Sequence, residues 1–154
     1  MKNLYHYETP IGKIGIAEQD NKLTNIFFEG EAIAFETFQN QETPILKEAN
    51  KQLQEYFTGQ RTEFSLPLAA VGTAFMLRVW NALSAIPYGE TRSYKEIAIA
   101  TGNGKACRAV GMANNRNPIA IIIPCHRVIG SNGALVGYGG GLNIKSYLLD
   151  LEKK

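Results

Sequence analysis

The balance of acidic and basic residues changes near the middle of the chain, and this change constrains the fold more than any other feature. Residues 1–71 contain 6 Lys and Arg but 10 Asp and Glu, whereas residues 72–154 contain 10 and 4. The formal charges of the two halves are therefore −4 and +6. A length of 154 residues suits one compact domain or two small ones. We expect two domains, over residues 1–71 and 72–154.

The positive charge of the second half favours a polyanion partner such as nucleic acid. Charge alone does not separate this interpretation from a solubilising surface whose halves differ by chance. The longest apolar run, residues 119–123, is too short to span a membrane. Residues 1–8 lack the apolar core of a signal peptide, which predicts a cytoplasmic protein with free thiols at Cys107 and Cys125. The Cys and His residues follow no zinc-site spacing, so no metal is expected.

The first half is predicted to be a small αβ scaffold without site chemistry. Residues 11–17 and 23–28 alternate as strands around a polar turn, which predicts a hairpin. Thr43 and Pro44 suit the start of a helix whose apolar positions continue to Phe57, and Gly59 follows it. Residues 63–68 are predicted to form a further short strand.

The second half is predicted to be mainly helical. Thr73 is expected to cap a helix that ends at Pro87, and residues 93–96 form a capping box of the S-x-x-E type. A Gly-containing turn at residues 101–104 separates this second helix from a third over residues 105–114, which indicates a helix-turn-helix. Small residues make the third helix slim, so it can approach a duplex or pack tightly on a neighbouring helix.

The residues with reactive side chains directly follow the apolar run of residues 119–123. We expect this run to be buried and nearly extended. The run leads into Cys125, a nucleophile only when deprotonated, and His126, a base that titrates near neutrality. Neighbouring residues of an extended chain point to opposite faces, so contact between the two needs a turn or a bridging water. The alternative for Cys125 is a small buried apolar residue.

The hexapeptide Ile123-Pro124-Cys125-His126-Arg127-Val128 resembles the active-site signature of the O6-alkylguanine-DNA alkyltransferases. The resemblance continues nearly without gaps from Thr73 to Glu152, through Ser93-Tyr94, Arg108-Ala109-Val110-Gly111, Asn117-Pro118, Gly137-Tyr138, Gly140-Gly141-Leu142, Lys145 and Leu148-Leu149. The first half fits more loosely, and its Thr9-Pro10-Ile11-Gly12 is similar to the family's opening strand. The implied fold is α/β of the α+β kind, with a ribonuclease-H-like αβ domain followed by a helical domain with a helix-turn-helix.

The resemblance implies that the partner is double-stranded DNA carrying O6-alkylguanine. The alkylated atom lies inside the base stack, so the nucleotide must be flipped out. Arg108 would fill the gap left behind, and Tyr94 would push the 3′ phosphate and bond the flipped base. Ala109 and Gly111 would belong to the slim helix that docks in the minor groove, where readout is nearly blind to sequence.

The resemblance also implies the parts of the reaction. Cys125 would accept the alkyl group, His126 would take the thiol proton through a water, and Glu152 would orient and stabilise His126. Asn117 would brace the turn that carries Cys125. By composition alone, Glu152 beside the charged residues Lys153 and Lys154 would instead be a solvated side chain.

Further residues are implied to hold the base. The carbonyls of Cys125 and Val128 would accept the guanine amine, while Tyr138 and the amide of Gly139 would approach O6. Some relatives carry Ser where Gly139 stands, so only the backbone amide remains there. Lys145 would support this loop.

The implied product is a thioether that no base here could reverse, so each molecule would act once. No cofactor is expected, and the protein is expected to be a monomer. Two other functions compete with this interpretation. A lesion-binding relative would lack the acceptor Cys, and an unrelated cysteine hydrolase would need an oxyanion-hole motif that is not evident.

Overall fold

A computed structural model of the chain describes residues 2–133, 138 and 140–153. The chain divides into two compact units, Met1–Val71 and Gly72–Lys154. The division falls where the charge balance of the sequence changes sign.

The first unit contains a four-stranded sheet in the order β3-β2-β1-β4. Its strands are β1 (Lys2–Thr9), β2 (Gly12–Gln19), β3 (Lys22–Phe27) and β4 (Phe38–Asn40). The pairs β1/β2 and β2/β3 are antiparallel, and β4 runs parallel to β1 after a 3-10 helix at Phe35–Thr37. The predicted hairpin is confirmed as β2 and β3, because Asp20 and Asn21 adopt the positive φ angles that its tight turn requires.

The predicted helix of this unit is confirmed as α1 (Pro44–Phe57), with Thr43 at its N-cap position. The Thr43 side chain makes no capping hydrogen bond, so the helix start relies on Pro44, whose missing N–H costs nothing there. One face of α1 is buried through Ile45, Leu46, Ala49, Gln52, Leu53, Tyr56 and Phe57. These residues share the core of the unit with the fully buried Ile14 and Ile16 of β2.

One strand prediction in this unit was wrong. Residues 63–68 form no strand, and only Leu68 makes an isolated bridge, to Leu23. Pro67 has no N–H to donate to a ladder, so pairing cannot extend through it. Residues 9–12 connect the first two strands: Thr9 ends β1, Pro10 and Ile11 form the turn, and Gly12 begins β2 with a φ of 104°. Strand β1 itself was not predicted.

The second unit begins with three helices, α2 (Ala74–Ser84), α3 (Tyr94–Ala100) and α4 (Cys107–Asn115). The predicted caps are confirmed, because Thr73 accepts a hydrogen bond from the Met76 amide and the capping box of residues 93–96 is complete. The indole of Trp80 donates to the Ala113 carbonyl over 2.9 Å and so ties α2 to α4. The helix-turn-helix is therefore α3 and α4, held from behind by α2.

A two-stranded parallel ladder places the start of α3 beside the segment that carries Cys125. Strand β5 (Arg92–Ser93) pairs with β6 (Val128–Ile129), and β6 directly follows a 3-10 helix at Cys125–Arg127. The C-terminal helix α5 (Leu142–Glu152) packs against that 3-10 helix.

Candidate active site

The segment before Cys125 is a buried turn and not the extended run that we expected. The Ile123 amide donates to the Ile119 carbonyl over 2.9 Å, and Ile121 has a φ of 75°. A β-branched residue in this region is strained, so neighbouring contacts must hold it. Asn117 provides them, because its Nδ2 donates to the Ile123 carbonyl over 2.7 Å and its Oδ1 accepts from the Ile119 amide over 3.0 Å.

This turn places Cys125 in the interior of the unit, where the cysteine is only 3% exposed. Burial raises the pKa of the Cys125 thiol to about 11, against the opposing effects of the Asn117 side chain and the charge of Lys145. The resting group is therefore a neutral thiol, and a base must remove its proton before the sulfur can attack.

The imidazole of His126 is fully buried next to that thiol in the chain. Its Nε2 lies 2.7 Å from Oε2 of Glu152, and its Nδ1 is buried without a hydrogen-bond partner among the described residues. Burial lowers the pKa of His126, and the positive charges of Arg127 and Lys145 lower it further. The hydrogen bond and the negative charge of Glu152 act in the opposite direction. A neutral imidazole with its proton on Nε2 leaves a lone pair on Nδ1 for a further proton.

Glu152 is 5% exposed, although its sequence neighbours are charged. Its carboxylate accepts from Nε of Arg127 over 2.8 Å, from Nη2 of Arg127 over 3.1 Å and from the Gly89 amide over 3.2 Å. The expectation from composition, a solvated side chain, was therefore wrong. Helix α5 turns this residue inward, because burying its apolar face brings Glu152 to the same side.

Arg127 also belongs to this cluster, although no role for it was predicted from the sequence. Its guanidinium binds both oxygens of Glu152, donates to the Ile86 carbonyl over 2.7 Å and lies over the ring of Tyr88. A usable signal was present, because an Arg between His126 and the buried Val128 has to find a partner inside the protein.

Lys145 of α5 is fully buried, and its Nζ donates to the Val128 carbonyl over 2.6 Å. Burial lowers the pKa of Lys145, and the nearby Cys125 opposes this. The structure therefore places Lys145 beside two of the groups expected to hold the base. Tyr138 is also buried, whereas Gly137 and Gly139 lie outside the described residues.

The half-buried Tyr94, at the start of α3, faces the same region. Burial raises the pKa of its hydroxyl, the proximity of Cys125 adds to this, and a hydrogen bond from the Asn114 side chain opposes it. Asn114 also donates from Nδ2 to the Cys125 carbonyl over 3.4 Å. Asn114 was not among the residues predicted from the sequence.

The predicted DNA-binding residues lie on α4 with different exposure. Arg108 and Ala109 are exposed, whereas Gly111 is half-buried. A Cβ added to Gly111 would lie 3.9 Å from Cε1 of Tyr94, so this part of α4 runs close to the start of α3. The structure thus gathers Tyr94 with the buried cluster and leaves Arg108 at the surface of the same helix pair.

The described part of the chain offers no helix with the length and apolar character that a bilayer crossing requires. Within those same residues, no three His, Cys, Asp or Glu side chains are grouped in a way that could hold a metal ion.

Comparisons with known proteins match both units to domains of one protein family. The ribonuclease-like domain of 6-O-methylguanine DNA methyltransferase matches residues 4–70, and the DNA binding domain of the same protein matches residues 74–154. The chain is 53% identical over 152 residues to the constitutive methylated-DNA–protein-cysteine methyltransferase of Bacillus subtilis strain 168. The aligned region covers 95% of this chain and 92% of that protein.

Solved structures give the same result. The Mycobacterium tuberculosis O6-methylguanine methyltransferase superposes with a TM-score of 0.90 and 48% identity, over 99% of this chain and 93% of that chain. An OGT of the same organism in complex with DNA superposes with a TM-score of 0.92 and 48% identity, over 98% and 92%. The predicted α+β fold class is confirmed. The chain belongs to the 6-O-methylguanine DNA methyltransferase family.

Proposed function

We propose that this protein repairs DNA as a methylated-DNA–protein-cysteine methyltransferase, moving the alkyl group of O6-alkylguanine directly and irreversibly to Cys125. The observation that carries the proposal is a buried cysteine followed in the chain by a His126–Glu152 pair, in a unit that presents a helix-turn-helix. Relatives about half identical over most of the chain are named for this activity.

The double-stranded substrate would be engaged by α3 and α4. The exposed Arg108 is free to enter the stack in place of the flipped nucleotide, and Ala109 beside it leaves room for the minor-groove wall. Tyr94 lies between this surface and Cys125, where it would push the 3′ phosphate and bond the base. Flipping is necessary because O6 is out of reach inside the stack.

Proton transfer would run from the thiol of Cys125 through one water to Nδ1 of His126. The buried, unpartnered Nδ1 supports this route, because such an atom needs a hydrogen-bond donor. Glu152 would stabilise the resulting imidazolium, with its own charge balanced by Arg127. Asn117 would keep the strained turn, and hence the sulfur, in place.

In the transfer itself, the sulfur of Cys125 would form a bond to the alkyl carbon while the bond from that carbon to O6 breaks. The electron pair would pass to the guanine, where the Tyr138 hydroxyl and the Gly139 amide would stabilise O6. The carbonyls of Cys125 and Val128 would accept the guanine amine, and Lys145 would hold the Val128 carbonyl in position. The thioether has no leaving group, so each molecule would react once without a cofactor.

We further propose a monomer that works in the cytoplasm. Both cysteines are free thiols, and an acceptor cysteine must stay reduced to react. A reducing compartment provides that condition.

The test is intact-mass measurement after incubation with a duplex containing O6-methylguanine. We expect one methyl group per molecule, located on the Cys125 peptide. Cys125→Ala should gain no mass yet bind the duplex with native affinity. A methyl group elsewhere, or an unchanged mass in the native protein, would contradict the transfer, and native binding without any transfer would indicate a lesion-recognition protein.

A further inference from the structure

The connection between α2 and β5 contacts the buried pair formed by Arg127 and Glu152. Residues 86–89 of this connection form a turn. Its Ile86 carbonyl accepts a hydrogen bond from Nη1 of Arg127 over 2.7 Å. Its Gly89 amide donates to Oε1 of Glu152 over 3.2 Å. The backbone of the turn therefore binds both members of the pair.

The side chain of Tyr88 adds a contact of a different kind. The centre of the Arg127 guanidinium lies 5.7 Å from the centroid of the Tyr88 ring, which is within the range of a cation–π interaction. A guanidinium donates hydrogen bonds only in its own plane, and here these go to Glu152 and to the Ile86 carbonyl. The face of the guanidinium can be held only by stacking, and the half-buried Tyr88 ring provides this.

The position of Arg127 determines how strongly the charge of Glu152 acts on His126. Burial lowers the pKa of His126, whereas the hydrogen bond and charge of Glu152, 2.7 Å from Nε2, raise it. Arg127 neutralises that carboxylate and, like Lys145, also lowers the pKa of His126 through its own positive charge. A guanidinium that moves away would therefore favour the imidazolium, which cannot accept the proton of the neutral Cys125 thiol.

We propose that Tyr88 is a positioning residue for the transfer reaction, its ring holding the Arg127 guanidinium against Glu152 so that His126 remains a base. The inference rests on the proposed function and adds to it a residue that acts through Arg127. An aliphatic side chain at position 88 removes the attraction to the guanidinium but leaves every hydrogen-bonding group of Arg127 and Glu152 in the chain. The expected effect is therefore a shift in the titration of His126.

The first measurement is an NMR titration of the DNA-free protein. The chain contains two histidines, His6 and His126, so the imidazole signals of both can be followed with pH. We expect the titration midpoint of His126 to rise by about half a pH unit in Tyr88→Leu, the size expected of a partly exposed cation–π contact. Tyr88→Phe keeps the ring and should titrate as the native protein does. His6 belongs to the first unit and should titrate identically in every variant.

The second measurement is the pH profile of single-turnover methyl transfer from a duplex containing O6-methylguanine. On the acidic side of this profile, the pH of half-maximal rate should rise in Tyr88→Leu by the same half unit, about a threefold loss of rate at low pH. At higher pH the rate should approach that of the native protein. A merely structural role would instead slow the reaction equally at every pH.

The matched control is Tyr147→Leu, which replaces a tyrosine of α5 that is 39% exposed and should change neither measurement. Should thermal melting show that Tyr88→Leu does not fold, Tyr88→Met removes the ring with a more adaptable side chain and should give the same shift. Identical His126 titrations with and without the ring, or equal slowing at every pH, would overturn the proposal. Failure of the proposed function is distinct, because the native protein would then transfer no methyl while the shift of the His126 titration remains measurable.

Discussion

The guanidinium of Arg127 balances the charge of a carboxylate that sits inside the second unit. Glu152 accepts hydrogen bonds from Arg127, His126 and the Gly89 amide, so its oxygens are satisfied away from water. Removing one partner of such a buried pair costs about 3–5 kcal/mol, because the other charge is left uncompensated. Substitution of Arg127 therefore tests stability as much as chemistry.

The protonation state of Cys125 gives the prediction at this scale. Because its pKa is raised by burial to about 11, alkylation of Cys125 by iodoacetamide in the DNA-free protein should accelerate about tenfold per pH unit between pH 7 and 10. Mass spectrometry of the Cys125 peptide measures the rate. In urea the same peptide should level off near pH 9, the ordinary range of a thiol.

A plateau near pH 8 in the folded protein would instead mean a resting thiolate. The same pKa difference affects stability. As the pH rises, the unfolded chain loses the thiol proton before the folded one does. The contribution of the Cys125 thiol to the free energy of unfolding is therefore complete below about pH 9 and is lost as the pH approaches 11.

At the scale of elements, α4 carries surface and interior functions on different faces. Arg108 is exposed near its start, whereas Val110, Ala113 and Asn114 are buried. A helix of nine residues is short, so its position depends on packing against α2 and α3 more than on its own propensity. Its interior face is connected to the Cys125 carbonyl through the Asn114 side chain.

Gly111 allows the slim profile of α4 to be tested. Gly111→Ala should stabilise the protein by about 0.5–1 kcal/mol, because its Cβ would meet only an ordinary contact with Tyr94 at 3.9 Å. We expect the same methyl group to weaken duplex binding several-fold. Thermal melting and a duplex titration measure the two effects, and Asn115→Ala at the exposed end of α4 is the control. Unchanged duplex affinity would show that this face does not approach DNA.

At the scale of the whole molecule, the uneven charge of the two halves predicts how affinity responds to salt. Of the 10 Lys and Arg residues in the second half, Arg127 and Lys145 are buried, so they are not available to phosphates. The remaining positive charge of this half should still dominate binding to undamaged and damaged duplex alike.

We therefore expect duplex affinity to fall by about tenfold or more between 50 and 200 mM salt, since each phosphate contact releases counterions. Fluorescence anisotropy across a salt series gives the slope. Reaction with free O6-benzylguanine, which has no phosphate, is the control and should hardly change. A flat salt series for the duplex would refute the electrostatic interpretation of the second half.

Local patterns were enough to predict much of the fold. The α2 start at Thr73, the capping box of α3 and the β2–β3 hairpin are set by residues close in sequence. The apolar run of residues 119–123 was misjudged because five apolar residues have no periodicity that distinguishes a strand from a turn. Asn117 could be named from the resemblance, but only the structure shows both hydrogen bonds that stabilise this turn.

The sequence by itself determined the family, the order of most elements and the choice of Cys125 and His126 as candidate reactive residues. These depend on patterns among neighbouring residues and on the hexapeptide motif of residues 123–128. Only the tertiary structure decided that Glu152 is buried, that Arg127 and Lys145 serve the interior, and that Asn114 joins α4 to the Cys125 carbonyl. The physical reason is that burial and charge pairing depend on which elements pack together. The contact of Arg127 with Glu152 crosses 25 residues of chain, a distance over which no local pattern carries information.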